Sequence, residues 1–420
     1  MARTKKFMKT RILMIVFLLI LVSVGILVGC ASRTFGVTSV VVVQPGQSIA
    51  QAVDGASAGD SLFIKSGFYS ESLIIVNKLL SITGESAVNT IIDGGATAQV
   101  IFLVVASNVQ IKNVTLQNTS MDPFAQASAV RISGVTGVNV QNVTIRNVAV
   151  GVELRSSNFS QISRCKIFSS GICGAYLREK SCNNIIVDNT IADNNVGILL
   201  ADDASQDNKM FHNSFVNNSA HVSSFGGVNY FDNGYPSGGN YWDSDVSVDL
   251  KSGISQNQNG SDGILDQGFS FDNYPLVNPL TSLFIEVAGQ EFVTELSANF
   301  TLTNWRFNAT DRSLYLTVSN QQINTYAARV EIPKSFLSCD NLSAWTIFLH
   351  NADLKRTQYL GVEDTANTYL YFVLNNVTGA EIQIVATTLL PELSFPFAAV
   401  TIVVLTSVIM VLYRKRTYRS

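Results

Sequence analysis

Short apolar stubs recur through the middle of the chain at a nearly constant interval. GVEL, GAYL and GILL begin at Gly151, Gly174 and Gly197, 23 residues apart, and AVRI begins at Ala129, 22 residues before Gly151. A second apolar series runs through Ile145, Ile167, Ile191 and Phe215 with spacings of 22, 24 and 24, and a third starts at Val109 and Val138. An interval of this size is too short for an independent domain and suits one coil of a stacked solenoid. Three short strands per coil predict a parallel β-helix over residues 37–233. About eight coils follow from the repeat length, giving a rod roughly 40 Å long at ~4.8 Å per strand.

Within each coil Val, Ile, Leu, Phe or Ala alternate with polar residues, which places one set inside and the other in water. Corners fall at Asn, Gly, Ser and Asp, residues that tolerate left-handed backbone. Asn113, Asn142, Asn147, Asn189, Asn194, Asn213 and Asn217 recur near strand ends, where stacked amides can bond one another along the rod, so their expected role is structural. Ahead of the first coil, Ser48 can cap a short helix that sets Ile49, Ala52 and Val53 on one face. Such a helix covers the open end of the stack.

The period breaks at 234–280, a loop-rich acidic cap with Tyr241, Trp242, Tyr274 and Leu276 as apolar plugs. Residues 281–390 change to the alternation of antiparallel strands: NFTLTNWRF, SLYLTVS, ARVEIP, WTIFLH, YLYFVL and EIQIVAT. Six or seven strands with polar turns predict a small β-sandwich.

Both ends are apolar. Residues 12–28 hold no charge and follow Arg3, Lys5, Lys6, Lys9 and Arg11, which makes residues 1–33 a signal peptide or an N-terminal anchor. Residues 395–413 are a second uncharged stretch, read as a transmembrane helix, with a basic cytoplasmic tail at 414–420. These flanks predict a membrane-anchored protein of the cell surface whose bulk lies outside. Ten of the 28 Lys and Arg sit in the two ends, leaving 18 against all 31 Asp and Glu, a net −13 for the exterior part. That balance argues against nucleic acid and suits cations or simple solubility.

Cys30, Cys165, Cys173, Cys182 and Cys339 form no regular framework; one pair of the three coil cysteines could meet between neighbouring coils, or all could be small core fillers. LVGC at residues 27–30 resembles a bacterial lipobox. Ten N-x-S/T sequons, at Asn113, Asn118, Asn142, Asn158, Asn217, Asn259, Asn299, Asn308, Asn341 and Asn376, are compatible with a glycoprotein.

The coils together with SGGNYWDSD, GSDGILD and DNYPL resemble NosD-like right-handed β-helix proteins of the pectate-lyase-like superfamily, over about residues 37–280. LLPELSFPF followed by an apolar stretch and RKR resembles an archaeal PEF-type anchoring tail, though here PELSFPF separates the Pro-Glu and Phe-Pro elements. The resemblance implies a right-handed parallel β-helix of an all-β protein, with apolar helices at the two termini. It also implies two chemistries. Polysaccharide lyases, hydrolases and epimerases on this fold use Ca²⁺ and carboxylates, and Asp202 with Asp203 is the adjacent acidic pair on the coils; a solvated turn is the competing reading. Copper-site maturation would need soft ligands, but His212, His221, His350, Met121 and Met210 form no spaced set. The cap offers hard oxygens, since Asp243, Asp245, Asp249, Asp262 and Asp266 crowd into 24 residues and make a candidate Ca²⁺ loop.

Surface binding or structure, with glycans as the candidate ligand, is therefore the leading expectation, and a carbohydrate-active enzyme is the alternative.

Overall fold

The computed structural model describes residues 39–122, 125–319, 325–350, 354–375 and 381–389. The apolar ends, Cys30 and Asn376 lie outside them, so the expected terminal helices and lipobox do too. No helix among the described residues is long and apolar enough to cross a membrane.

The middle of the chain is a parallel β-solenoid of eight coils. One sheet takes one strand from each coil, in the order Val40–Val43, Ser61–Ile64, Ser81–Gly84, Gln110–Lys112, Asn139–Gln141, Gln161–Ser163, Ile185–Val187 and Lys209–Phe211. Every neighbouring pair is parallel. A second sheet of 13 strands wraps the rest of the circumference. Inward columns such as Val130, Val152, Ala175 and Ile198 are buried and merge into one continuous core. The expected helix is present at Ile49–Gly55, with the Ser48 hydroxyl accepting from the Gln51 amide and Ile49 and Val53 buried. The Glu71 carboxylate takes the Ile49 and Ala50 amides, which completes the cap.

The glycine period marks a bend. The long strands Thr144–Arg155 and Lys166–Arg178 turn a corner without breaking, and the register slips by one residue between Val148 and Val150. That bulge is why Ile145 to Ile167 spans 22 residues while Gly151 to Gly174 spans 23. A Cβ on Gly151 would overlap the Gly174 carbonyl oxygen, and one on Gly174 would lie 2.8 Å from the Gly197 carbonyl oxygen. Here the coils approach too closely for any side chain.

Asparagine solves the other corners in two ways. Asn113, Asn142, Arg164, Asp188 and His212 occupy one corner of successive coils with φ of 50 to 59°, and Asn118, Asn147, Ser169, Asp193 and Asn217 occupy a second with φ of 51 to 60°. Inside the rod, buried asparagines form three ladders. The Cys165 amide donates to Asn189 Oδ1 (2.8 Å), the Asn189 amide to Asn213 Oδ1 (3.1 Å) and the Asn213 amide to Asn240 Oδ1 (3.0 Å). Ser160, Asn184, Asn208 and Asn229 form a second ladder, and Ser170, Asn194 and Asn218 a third. Asn184, Asn189, Asn194, Asn208, Asn213 and Asn218 also donate Nδ2 to a carbonyl 27 residues earlier, as Asn189 does to Ile162. An amide side chain carries one acceptor and two donors, the set that a turning backbone leaves unpaired. Ser157, Ser181 and Ser205 add a hydroxyl version of the same rung.

The stack continues past residue 233, where the sequence pattern places its end. Tyr241–Trp242 pairs with the strand Ser214–Val216, and Trp242 stacks on Phe215 with ring centroids 4.4 Å apart. Trp242 and Leu276 are buried plugs, while Tyr241 and Tyr274 are only half-buried. The period failed to show this because the last coil reaches its strand through an irregular loop.

From Leu280 two five-stranded antiparallel sheets enclose a second apolar core that includes Leu316, Tyr326, Val330, Trp345, Leu370 and Ile384. Ten strands exceed the six or seven expected. The hairpin Leu280–Val287 with Gln290–Ala298 turns at Ala288 and Gly289, with φ of 53 and 78°, a two-residue turn without the Asn-Gly signal that would announce it.

Replacing Asn189 by Ala strands the Cys165 amide and the Ile162 carbonyl in the core. Chemical denaturation is expected to show a loss of about 3 kcal/mol, and a loss below about 1 kcal/mol would contradict the ladder's role. Gly174→Val forces a side chain against the next coil, with an expected loss of about 2–3 kcal/mol in the same measurement.

Candidate functional site

The outward face beside the glycine bend carries the most organised charge on the coils. Arg131, Glu153 and Tyr176 fill one outward column of the second sheet, and Arg155 and Arg178 the next. Glu153 has a side chain only 1% exposed. Its Oε2 accepts from Ser128 Oγ (2.6 Å) and Arg131 Nε (2.5 Å), and its Oε1 accepts from Arg178 Nε (2.9 Å). Burial pushes the carboxyl up, but the Ser128 hydroxyl and the two guanidinium groups outweigh it and hold the pKa below the usual range. Arg178 lies over the Tyr176 ring at 5.1 Å, and Arg155 pairs with Glu179 at 2.7 Å. The Gln126 carbonyl accepts from Arg131 on this face, and the Met121 methyl would touch a Cβ on Gly171.

Across the bend a second axial chain joins three coils. Asp93 Oδ2 accepts from Gln117 Nε2 (2.6 Å) and Asn118 Nδ2 (2.7 Å), and Gln117 Oε1 accepts from Arg146 Nε (2.9 Å). Asp93, Gln117 and Arg146 hold equivalent outward positions, so the bonds run parallel to the rod.

The expected acid pair takes a different place. Asp202 Oδ1 accepts the Ala204 and Ser205 amides at 3.1 and 2.7 Å, and its Oδ2 accepts the Glu179 amide. Those amides overcome its partial burial and lower its pKa. Asp203 lies against Gly226 on the same turn. Asp202 thus caps a turn, with both oxygens engaged by backbone amides.

The five cap aspartates are likewise spread over separate staples. Asp249 binds the Asp262 and Gly263 amides, Asp266 the Leu250 and Lys251 amides, and Asp262 the Gly253 and Ile264 amides. Asp245 Oδ1 accepts from Ser247, while its Oδ2 is buried without a hydrogen bond. Burial pushes Asp249 up to about 7. Among the described residues no group of three or more His, Cys, Asp or Glu side chains could hold a metal ion. Cys165, Cys173, Cys182 and Cys339 are free thiols, so the coil cysteines do not pair.

Three arrangements escaped the sequence pattern. Asp272 ends the central asparagine ladder, its Oδ2 taking the Asn240 amide (2.7 Å) and Trp242 Nε1 (2.9 Å); burial pushes it up to about 7. His221 Nε2 lies 2.9 Å from Asp243 Oδ1 and 3.1 Å from Ser244 Oγ. Serine and aspartate share one nitrogen, so this is not a proton relay, which needs them on opposite nitrogens. His212 is buried against the C-terminal sheets, where Asp188 and Glu331 approach it.

Glu153→Gln leaves two arginines without their shared counter-charge. An expected destabilisation of about 2 kcal/mol at pH 7 follows, after allowing for the partial exposure of both arginines. The folded-state pKa is depressed, so the contribution is present above the unfolded value and lost as pH falls through the folded one. Stability curves of the parent and the variant should converge below about pH 4; an equal gap at pH 3 and pH 7 would contradict the ion cluster.

Comparison with known proteins bears on the fold. Residues 80–242 match the family model described as right handed beta helix region. No curated protein matches the chain. Among solved structures the chain is similar to pectin methylesterase PemA from Erwinia chrysanthemi at 16% identity, over 47% of this chain and 82% of that one, with a TM-score of 0.28. It is similar to an alginate lyase from Paenibacillus sp. at 14% identity, over 44% of this chain and 58% of that one, with a TM-score of 0.29. It is also similar to the catalytic domain of an α-1,3-glucanase at 14% identity, over 54% of this chain and 50% of that one, with a TM-score of 0.34. The chain carries a right-handed parallel β-helix domain.

Proposed function

We propose that this protein is a surface-displayed β-helix that binds an extended, repetitive polymer, with glycans as the ligand class, and that it works by holding rather than cleaving. The observation that carries this reading is the axial bonding of the outward charged groups. Asp93–Gln117–Arg146 and Arg131–Glu153–Arg178 run along the rod at the coil spacing on either side of the bend. Such a face is rigid and presents guanidinium and amide groups at regular intervals, which suits hydroxyl-rich repeating ligands. A general acid or base needs a proton-transferring oxygen free to reach the substrate. Glu153 and Asp202 instead spend their oxygens on the protein. The uncharged stretch at 395–413 and the basic residues after it support membrane attachment with the coils outside. The acidic exterior supports a neutral or cationic partner over nucleic acid.

The test is titration of the full chain in detergent micelles with a panel of neutral and acidic polysaccharides, with and without Ca²⁺, reading heat of binding and newly formed chain ends together. Saturable binding without new ends is expected, and Arg146→Ala should weaken it about tenfold by removing a charged donor. New chain ends, or binding indifferent to Arg146, would overturn this reading.

A further inference from the structure

The β-helix and the C-terminal sheets meet at a cluster of ionisable groups. From the coils come Arg164, Asp188 and His212, the residues of one left-handed corner in three successive coils. From the sheets come Glu295 on Gln290–Ala298 and Arg329 and Glu331 on Thr325–Pro333. His212 Nε2 lies 3.0 Å from the Ser237 carbonyl oxygen and 3.2 Å from Ser237 Oγ. Nδ1 faces Asp188 Oδ1 at 3.7 Å and Glu331 Oε2 at 3.8 Å. A doubly protonated ring sets an N–H toward both carboxylates. Glu295 Oε2 accepts from Ser282 Oγ at 2.9 Å, while its Oε1 and Glu331 Oε2 are buried without a hydrogen bond.

We propose that this junction is a proton-operated hinge: the C-terminal sheets are held against the His212 corner of the β-helix at acidic and neutral pH and swing away from it at alkaline pH.

The surrounding charges set the direction. Arg164 Nε stands 3.9 Å from Asp188 Oδ2, and Arg329 bonds the Pro236 carbonyl and lies 4.5 Å from the Tyr369 ring centroid. Asn367 donates to Glu331 Oε1, and Asp364 accepts from Tyr369 behind it. While His212 is charged and Glu295 protonated, three cations face Asp188, Glu331 and the more distant Asp364. Loss of both protons adds two units of negative charge to a space closed to water. Burial lowers His212, but Glu331 and Asp188 outweigh it and raise the pKa to about 9. Burial raises Glu295 and Glu331 as well. All three folded-state values lie above the unfolded ones. Their stabilisation is therefore complete below the unfolded values and fades as pH climbs toward the folded ones, with the His212 share lost between 6.5 and about 9. What remains is the Leu280 amide on Ser214 Oγ at 3.0 Å, Arg164 over the Phe284 ring at 5.5 Å, and a separate seam where Tyr235, Pro236 and Ile264 face Leu360, Val362 and Tyr371.

Spin labels on non-natural side chains at positions 179 and 363 of the full chain, in detergent micelles, report the spacing of the two units by pulsed electron resonance. A single narrow distance at pH 6 is expected to broaden and lengthen between pH 7 and 10, while far-ultraviolet circular dichroism stays constant. Glu295→Gln removes one titrating group and should move the midpoint upward by about 0.5 pH unit or more. His212→Gln removes the cation and should broaden the distance already at pH 6. A distance unchanged to pH 10 in the parent, or one midpoint shared by parent and Glu295→Gln, would overturn the hinge.

Discussion

A parallel β-helix must satisfy its backbone at every corner. Along the strands each amide finds a carbonyl on the neighbouring coil. At a corner the chain turns away and the ladder stops, yet the inner side of the turn remains buried, where an unpaired amide costs about 1–3 kcal/mol. Here the buried asparagines at 184, 189, 194, 208 and 213 take over at that point, each bonding the coil before and the coil after. The strands can then stay only three residues long, as in Ile185–Val187, without loss of order between them.

The same economy governs the acidic residues. Although the chain between its two apolar ends is strongly acidic, its most organised carboxylates are spent on the protein itself. Glu71 caps the end helix, Asp202 a coil turn, Asp249 and Asp266 the cap loops, and Asp272 the last rung of the central ladder. Carboxylates bound this way are held in fixed positions by the amides they accept. A molecule so built is suited to presenting a fixed pattern of polar groups over several coils.

Much of this was legible in the sequence because a solenoid writes its geometry as a period. Gly151, Gly174 and Gly197 gave the coil length, and Ser48 gave the covering helix. The role of those glycines was not legible: a close approach of coil to coil at a bend is a distance, and periodicity carries none. Asparagine shows the same limit. Asn189, Asn194 and Asn213 are buried rungs, whereas Asn113, Asn142, Asn147 and Asn217 are left-handed corners. Both classes follow short apolar strands, so composition alone merges them. Asp202 with Asp203 read as a possible acid pair because adjacency says nothing of which amides lie beneath. The meeting of His212 with Glu331 joins a repeat to an unrelated fold 119 residues later, and no local pattern could announce it.

The most direct measurement is residue-resolved hydrogen exchange on the intact chain. The amides of Cys165, Ser170, Asn184, Asn189, Asn194 and Asn213 sit at corners but donate to an asparagine oxygen one coil away. They should exchange as slowly as the amides of the flanking strands. Exchange at the rate of an open loop at these six positions would show that the coils are not bound to one another through their corners, and would contradict the account at its foundation.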